Sequence, residues 1–188
     1  MKAKICLVGE PAVGKTSLIR RYVLDEFDDD YIATLGAKVT KKDVEITDST
    51  LGNLSVNLLI WDIMGDKGFR ELYKEAFFHG AQGIMAVCDV TRKETLSELR
   101  TWIKSVSRVA GRIPTHFLGN KIDLSRKRIV SESDVRELSS SYKSNYVMTS
   151  AKTGKNVERA FKEMARRIVA KRVAILGNSR KASSEIAL

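Results

Sequence analysis

The sequence predicts an α/β fold of three layers, a six-stranded, mostly parallel sheet covered by helices on both faces. Three observations carry this expectation. Short apolar runs rich in Val, Ile and Leu alternate with amphipathic stretches of helical period, the pattern of βα units whose strands are buried on both sides. The polar link at 47–53 is too short for a crossover helix, so its flanking runs must form the one antiparallel hairpin. The loop Gly9-Glu10-Pro11-Ala12-Val13-Gly14-Lys15-Thr16 fits G-x-x-x-x-G-K-[ST] between the first run and the first helical stretch, the context in which that pattern holds phosphate.

In chain order, the strands fall at residues 3–9, 39–46, 54–62, 83–90, 115–119 and 146–150. The helices, about five, fall at 14–24, 67–78, 93–109, 132–142 and 156–174. The last helix carries Val157, Ala160, Phe161, Met164, Ala165 and Ile168 at three- and four-residue spacing, a stripe that belongs in the core. Gly177 is read as its stop, giving one domain over 1–176 and a flexible polar tail over 177–188. No repeat and no second domain are evident.

Composition narrows the setting. With 43% hydrophobic and 30% charged residues, the chain has the balance of a folded globular protein rather than a disordered one. No apolar run nears the roughly 20 residues of a membrane span. The start is basic and then apolar, but the apolar part is too short for a secretory signal. Cys6 and Cys88 sit inside strand runs and are expected as buried free thiols, which fits a cytoplasmic, monomeric protein.

The net charge is +10, and nine Lys or Arg from Lys155 onward face only Glu158, Glu163 and Glu185. This is read first as a solvated outer helix face, with weak attraction to an anionic membrane as its upper limit and no nucleic-acid partner. The C-terminal residues Glu185-Ile186-Ala187-Leu188 include no cysteine, and Lys2 removes the N-myristoylation signal, so no lipid anchor is expected.

The chemistry starts at the phosphate loop. Backbone N–H groups from Gly9 through Ala12, Val13, Gly14 and on to Ser17, with the positive end of the following helix, converge on phosphate. Gly14 allows close backbone approach. Lys15 brings charge to the β- and γ-phosphates, and Thr16 offers a hydroxyl to Mg²⁺. The loop alone leaves kinases, ATPases and GTPases open.

Asn120-Lys121-Ile122-Asp123 follows the fifth run, at the carboxyl end of a strand, where open α/β sheets bind ligands. A carboxylate at Asp123 accepts from the ring N–H and exocyclic amine of guanine, whereas adenine presents an acceptor there and leaves it unpaired. Lys121 can lay its methylene stem along the base, and Asn120 can tie this segment to the phosphate loop. In Thr149-Ser150-Ala151-Lys152, the Ala151 N–H can donate to the guanine oxygen.

These motifs, in this order, resemble the Ras superfamily of small GTPases, most closely its Rab and Ras branches, over about residues 3–170. The resemblance rests on 9–16, Thr34, 62–65, 120–123 and 150–152, and it implies a P-loop NTPase fold. Leu35-Gly36, Trp61-Asp62 and Asp89-Val90-Thr91 look Rab-like, whereas the 65–80 segment is closer to Ras in length, so no branch is assigned. By resemblance, GTP or GDP binds with Mg²⁺ held by Thr16, Thr34 and Asp62. Phe27 edges the guanine, Tyr31 covers the phosphates, and Thr34 and the Gly65 N–H sense the γ-phosphate. Ser150, Ala151 and Lys152 complete the base site. Effectors, exchange factors and GTPase-activating proteins would read the two switch segments.

One motif departs from the family, most consequentially at its last position. Its usual D-T-A-G-Q is Asp62-Ile63-Met64-Gly65-Asp66 here. A glutamine amide donates and accepts while orienting the attacking water, whereas ionised Asp66 only accepts. At about 5 Å and an effective dielectric of 20, its repulsion from the phosphate is roughly 3 kcal/mol, or about a hundredfold in rate. Lys15, Thr34, Gly65 and Asp66 are the candidate catalytic group, and hydrolysis is expected to be slow. Three readings follow: a GTPase switch, a GTP-binding scaffold with negligible hydrolysis, and an ATP-using enzyme disfavoured by Asp123.

Overall fold

The computed structural model describes residues 1–28, 33–48 and 52–185. Its elements are β1 (Lys2–Val8), α1 (Lys15–Leu24), β2 (Ala37–Asp48), β3 (Gly52–Ile63), α2 (Lys67–Phe78), β4 (Gly83–Asp89), α3 (Lys93–Ser97), α4 (Leu99–Ala110), β5 (Thr115–Asn120), α5 (Glu132–Ser141), β6 (Asn145–Met148) and α6 (Val157–Glu185). The six strands form one sheet in the order β2-β3-β1-β4-β5-β6. Only the β2–β3 pair is antiparallel, in register from Ala37 opposite Ile63 to Asp48 opposite Gly52. The expected hairpin is therefore present, with both strands longer than the apolar pattern marks. Their added ends are polar, and there Thr47 Oγ1 also donates to Asn53 Oδ1 at 2.9 Å across the hairpin.

Alternation along β1 divides the core. Ala3, Ile5 and Leu7 point to the side covered by α1 and α6, where they meet Leu18, Ile19, Phe161 and Met164. Cys6 and Val8 point to the other side, against residues of α2, α3, α4 and α5 such as Phe78, Leu99, Trp102 and Val135. These are the three layers. Across the first layer Tyr22 of α1 stacks on Phe161 of α6, with centroids 4.1 Å apart. Cys6 and Cys88 are buried free thiols, each pushed up to about 12 by burial.

Two helical expectations change. The 93–109 stretch divides at Glu98 into α3 and α4. The last helix does not stop at Gly177 but runs to Glu185. Glycine in a helix interior costs only about 1 kcal/mol relative to alanine, and the helix-forming residues around 174–182 carry the helix through it. Residues 177–185 are thus helical rather than an irregular tail, and 186–188 lie outside the described residues. No described helix is long and apolar enough to cross a membrane.

Parallel pairing brings the carboxyl ends of β1, β3, β4 and β5 to one edge of the sheet. The phosphate loop, Asp62, Asp89 and Asn120 all lie at that edge because each terminates or follows one of these strands.

Candidate nucleotide site

A cleft of about 450 Å³ opens at this edge. Its walls include Ala12, Gly14, Lys15, Thr16 and Ser17 of the phosphate loop, Phe27, Thr34, Gly65 and Asp66, and Asn120, Lys121, Asp123, Ala151 and Lys152. Fourteen of the expected site residues therefore share one surface. Gly9, Val13, Asp62 and Ser150 stand behind it, and Tyr31 lies outside the described residues.

The loop turns on its glycines. Gly9 has φ 143° and a Cβ there would lie 2.2 Å from the Val87 carbonyl oxygen, so β4 leaves no room for a side chain. Gly14, at φ 96°, presses against the Asn120 side chain. Lys15 is buried and its ammonium donates to the Gly9 and Glu10 carbonyls at 2.7 and 3.0 Å. Burial lowers it to about 8, against the upward pull of Asp62 and Glu10. A phosphate would restore full charge to this lysine.

Beside the loop, Thr16 Oγ1 donates to Asp62 Oδ2 at 2.5 Å, and the Thr16 and Thr34 hydroxyls are 2.9 Å apart. Asp62 is buried, and its second oxygen, Oδ1, has no hydrogen-bond partner. Burial raises its pKa, while Thr16, Lys15, Thr34 and Lys38 oppose the rise. Two hydroxyls around a carboxylate with an orphaned oxygen form the donor set of a hard divalent cation. Among the described residues no cluster of three or more His, Cys, Asp or Glu offers another metal centre.

Gly65 presses on the phosphate loop from the far side. A Cβ there would sit 2.5 Å from Pro11 N and 2.6 Å from the Glu10 carbonyl carbon. Only glycine permits that approach. The Met64 N–H donates to the Gly36 carbonyl at 2.9 Å, joining the segment after β3 to the segment before β2. Asp66 is exposed at the cleft rim. Trp61 is half-buried, with the Lys4 ammonium 3.7 Å from its ring centroid.

The base side is densely bonded. Asn120 Nδ2 donates to the Val13 carbonyl at 2.9 Å, the expected tie to the phosphate loop. Its Oδ1 accepts from Thr149 Oγ1 and from the Ala151 N–H, both at 3.2 Å. Ser150 Oγ donates to Asp123 Oδ1 at 2.5 Å and accepts from the Thr153 N–H. The Ala151 N–H expected to meet guanine is thus engaged by Asn120 in this structure. Lys152 Nζ lies 5.7 Å from the Phe27 ring centroid, at the outer rim.

Three residues given no role in the sequence reading hold these parts together. Asp89, buried at the end of β4, accepts from Lys121 Nζ at 2.7 Å, from the Thr91 N–H and Oγ1 at 2.9 and 2.7 Å, and from Arg92 Nε at 3.3 Å. Burial alone would raise the Asp89 pKa, but Lys121 and Thr91 hold it below its ordinary value. Arg92 Nη2 also donates to the Pro11 carbonyl at 2.8 Å, so Asp89 links Lys121 through Arg92 to the phosphate loop. Lys121 therefore projects its ammonium across the cleft floor, with its backbone at φ 71°. Arg21 of α1 donates to the Ala151 and Lys152 carbonyls, each at 2.9 Å. A signal for Asp89 was present, since it ends a buried strand at the ligand edge. Nothing local marks Arg21.

The Ras family model matches residues 4–170. The chain is 38% identical over 170 residues to the Ras-related protein Rab-21 of Geodia cydonium, covering 90% of this chain and 72% of that protein. It is 36% identical over 184 residues to the Ras-related protein Rab-8A of Bos taurus, covering 97% and 86%. To the Ras-related protein Rab-8B of Homo sapiens it is 36% identical over 169 residues, covering 89% and 79%. With the family model matched over residues 4–170 and these relatives 36–38% identical over most of the chain, the protein belongs to the Ras family of small GTPases.

Proposed function

We propose that this GTPase is a Mg²⁺-dependent GTP/GDP switch whose own hydrolysis is slow. The convergence of Lys15, the Thr16–Asp62–Thr34 group and the Asn120–Asp123–Ala151 network on one cleft carries this reading. Thr16, Thr34 and Asp62 would hold the Mg²⁺, which supplies positive charge to the β- and γ-phosphate oxygens when bound. Lys15 and the loop N–H groups bind the phosphates. Asp123 and the Ala151 N–H select guanine, the latter turning or sharing its bond between Asn120 and the base.

In hydrolysis, water attacks the γ-phosphorus in line, the Pβ–O–Pγ bridge breaks, and GDP and phosphate leave with the water's proton on phosphate. Gly65 offers its N–H to the γ-phosphate, so losing that phosphate releases the segments around Gly65 and Thr34. Effectors, exchange factors and activating proteins would read that change. Exposed Leu35, Leu72 and Tyr73 beside Trp61 give such partners an apolar surface. Residues 1–176 form the nucleotide-binding domain in this reading, and 177–188 lie outside it.

Asp66 limits the rate because it repels developing charge and cannot donate to the water. Single-turnover hydrolysis of bound GTP tests this: Asp66→Gln should be faster by about a hundredfold. A variant no faster than the parent would remove Asp66 from the account. The same residue favours a second reading, a GTP-bound scaffold with negligible turnover. Purified protein retaining mostly GTP, with no phosphate release over hours, would support that reading over the switch.

A further inference from the structure

Arg100, Lys104, Arg108 and Arg112 recur every fourth residue from the first turn of α4 to just beyond its end. Residues at that spacing form one row on a helix. All four are exposed, while Leu99, Trp102, Ile103 and Val106 on the other side are buried. None of the four side chains forms an ion pair among the described residues. On α6, by contrast, two of the exposed cations are paired: Lys162 with Glu158 and Arg159 with Glu163, each at 2.7 Å. Like charges at i and i+4 weaken a helix, so the α4 row opposes the element that carries it.

The row leads away from the nucleotide. α4 connects β4, which ends at the cleft, to the start of β5, so Arg108 and Arg112 reach the opposite pole of the sheet. α6 arrives at the same pole, where the Lys171 ammonium donates to the Arg112 carbonyl. This contact sets exposed Lys171 and Arg172 against the end of the row. Val173 and Ile175 beside them are 38% and 55% exposed. Lys2, at the start of β1, and Lys143, just after α5, are also exposed at this pole. The helical part of the row, Arg100 to Arg108, spans about 12 Å at 1.5 Å per residue, and Arg112, beyond the turn at Gly111, stands in a corner that is both basic and apolar.

We propose that this surface, the α4 row together with the Lys171–Ile175 corner, lies against an anionic lipid bilayer. Charge complementarity alone would admit other polyanions, and two features favour lipid. The row stands on a convex helix face, which meets a plane of headgroups along its whole length and offers no groove to grip a polymer. Exposed Val173 and Ile175 next to cations reproduce the composition by which interfacial helices enter the headgroup layer. With the Lys171–Ile175 corner on the membrane, the cleft at the opposite end of the sheet stays open to nucleotide. The inference is independent of how fast GTP is hydrolysed.

The test is co-sedimentation of the full GDP-loaded chain with vesicles of phosphatidylcholine alone or phosphatidylcholine with phosphatidylserine. Each basic residue at an anionic surface adds about fivefold to partitioning. The parent should bind only the phosphatidylserine vesicles and leave them at high salt. The variant carrying Arg100→Gln, Lys104→Gln, Arg108→Gln and Arg112→Gln should bind roughly six-hundredfold less. Its retained GDP shows that it is folded. The pair Lys171→Gln and Arg172→Gln should lose about twenty-fivefold. Equal binding to both vesicle types, no binding by the parent, or unchanged binding by the fourfold variant would each overturn the proposal. So would row-dependent binding of polyglutamate or duplex DNA by a parent that ignores phosphatidylserine.

Discussion

The base side and the cation side of the cleft are held in different ways. On the base side, Asn120 holds Thr149 and Ala151, Ser150 holds Asp123, and Arg21 and Asp89 brace the segment from α1 and β4. On the cation side, Asp62 is buried with one oxygen unpartnered, and burial raises its pKa. The first half is assembled by the protein alone. The second carries a desolvation cost that a bound cation would offset. In the proposed reading, selectivity is built into the fold, while affinity and release would depend on the ligand and the metal.

The largest predicted effect attacks the base side. Asp123→Asn replaces the carboxylate proposed to accept two N–H groups of guanine, so GDP affinity should fall about a thousandfold. Equilibrium titration with a fluorescent guanine nucleotide, competed with ATP, measures it, and an unchanged affinity would remove Asp123 from base reading.

Asp62→Asn attacks the other half. It should speed GDP release in Mg²⁺ by about a hundredfold. It should also raise the melting temperature of the nucleotide-free protein, because a buried charge is gone. Faster release with a lowered melting temperature would mean that the carboxylate is structural.

A third perturbation belongs to neither half. His116 on β5 is buried with its Nε2 3.5 Å from Glu163 Oε2 and with Arg167 nearby on α6. Burial pushes it down to about 4, Glu163 pulls it up, and Arg167 reinforces the depression. The unfolded chain then binds the extra proton between about pH 6.5 and 4, so stability is full above that window and declines as pH falls through it. By pH 5 the loss is about 2 kcal/mol. Urea unfolding at pH 7 and 5, for the parent and His116→Gln, checks it. A parent as pH-sensitive as the variant would assign the effect to other groups.

The smallest effect sharpens the link between the halves. Arg92→Ala removes the bond to the Pro11 carbonyl and one donor to Asp89, and GDP release should rise about fivefold. Stopped-flow release gives the rate. No change would mean that Lys121 and Thr91 suffice to hold Asp89.

The contrast also explains what could be read from the sequence. Residues whose chemistry is local, such as Lys15, Thr16 and Asp123, are legible because spacing within one loop sets their role. So is the hairpin, since a seven-residue link admits little else. Arg21 and Arg92 were not, because their partners lie 130 and 81 positions away and only the fold brings them together. Gly177 misled for another reason: glycine weakens a helix without forcing it to end.

Release of a fluorescent GDP with Mg²⁺ present and after its removal by chelation, repeated with a fluorescent ADP, tests the central claim most directly. If the base side is built by the protein and the cation side is completed by metal, chelation should speed GDP release by about a hundredfold while the preference for guanine over adenine stays the same. An unchanged release rate, or a preference that collapses with the metal, would contradict the division between the two halves.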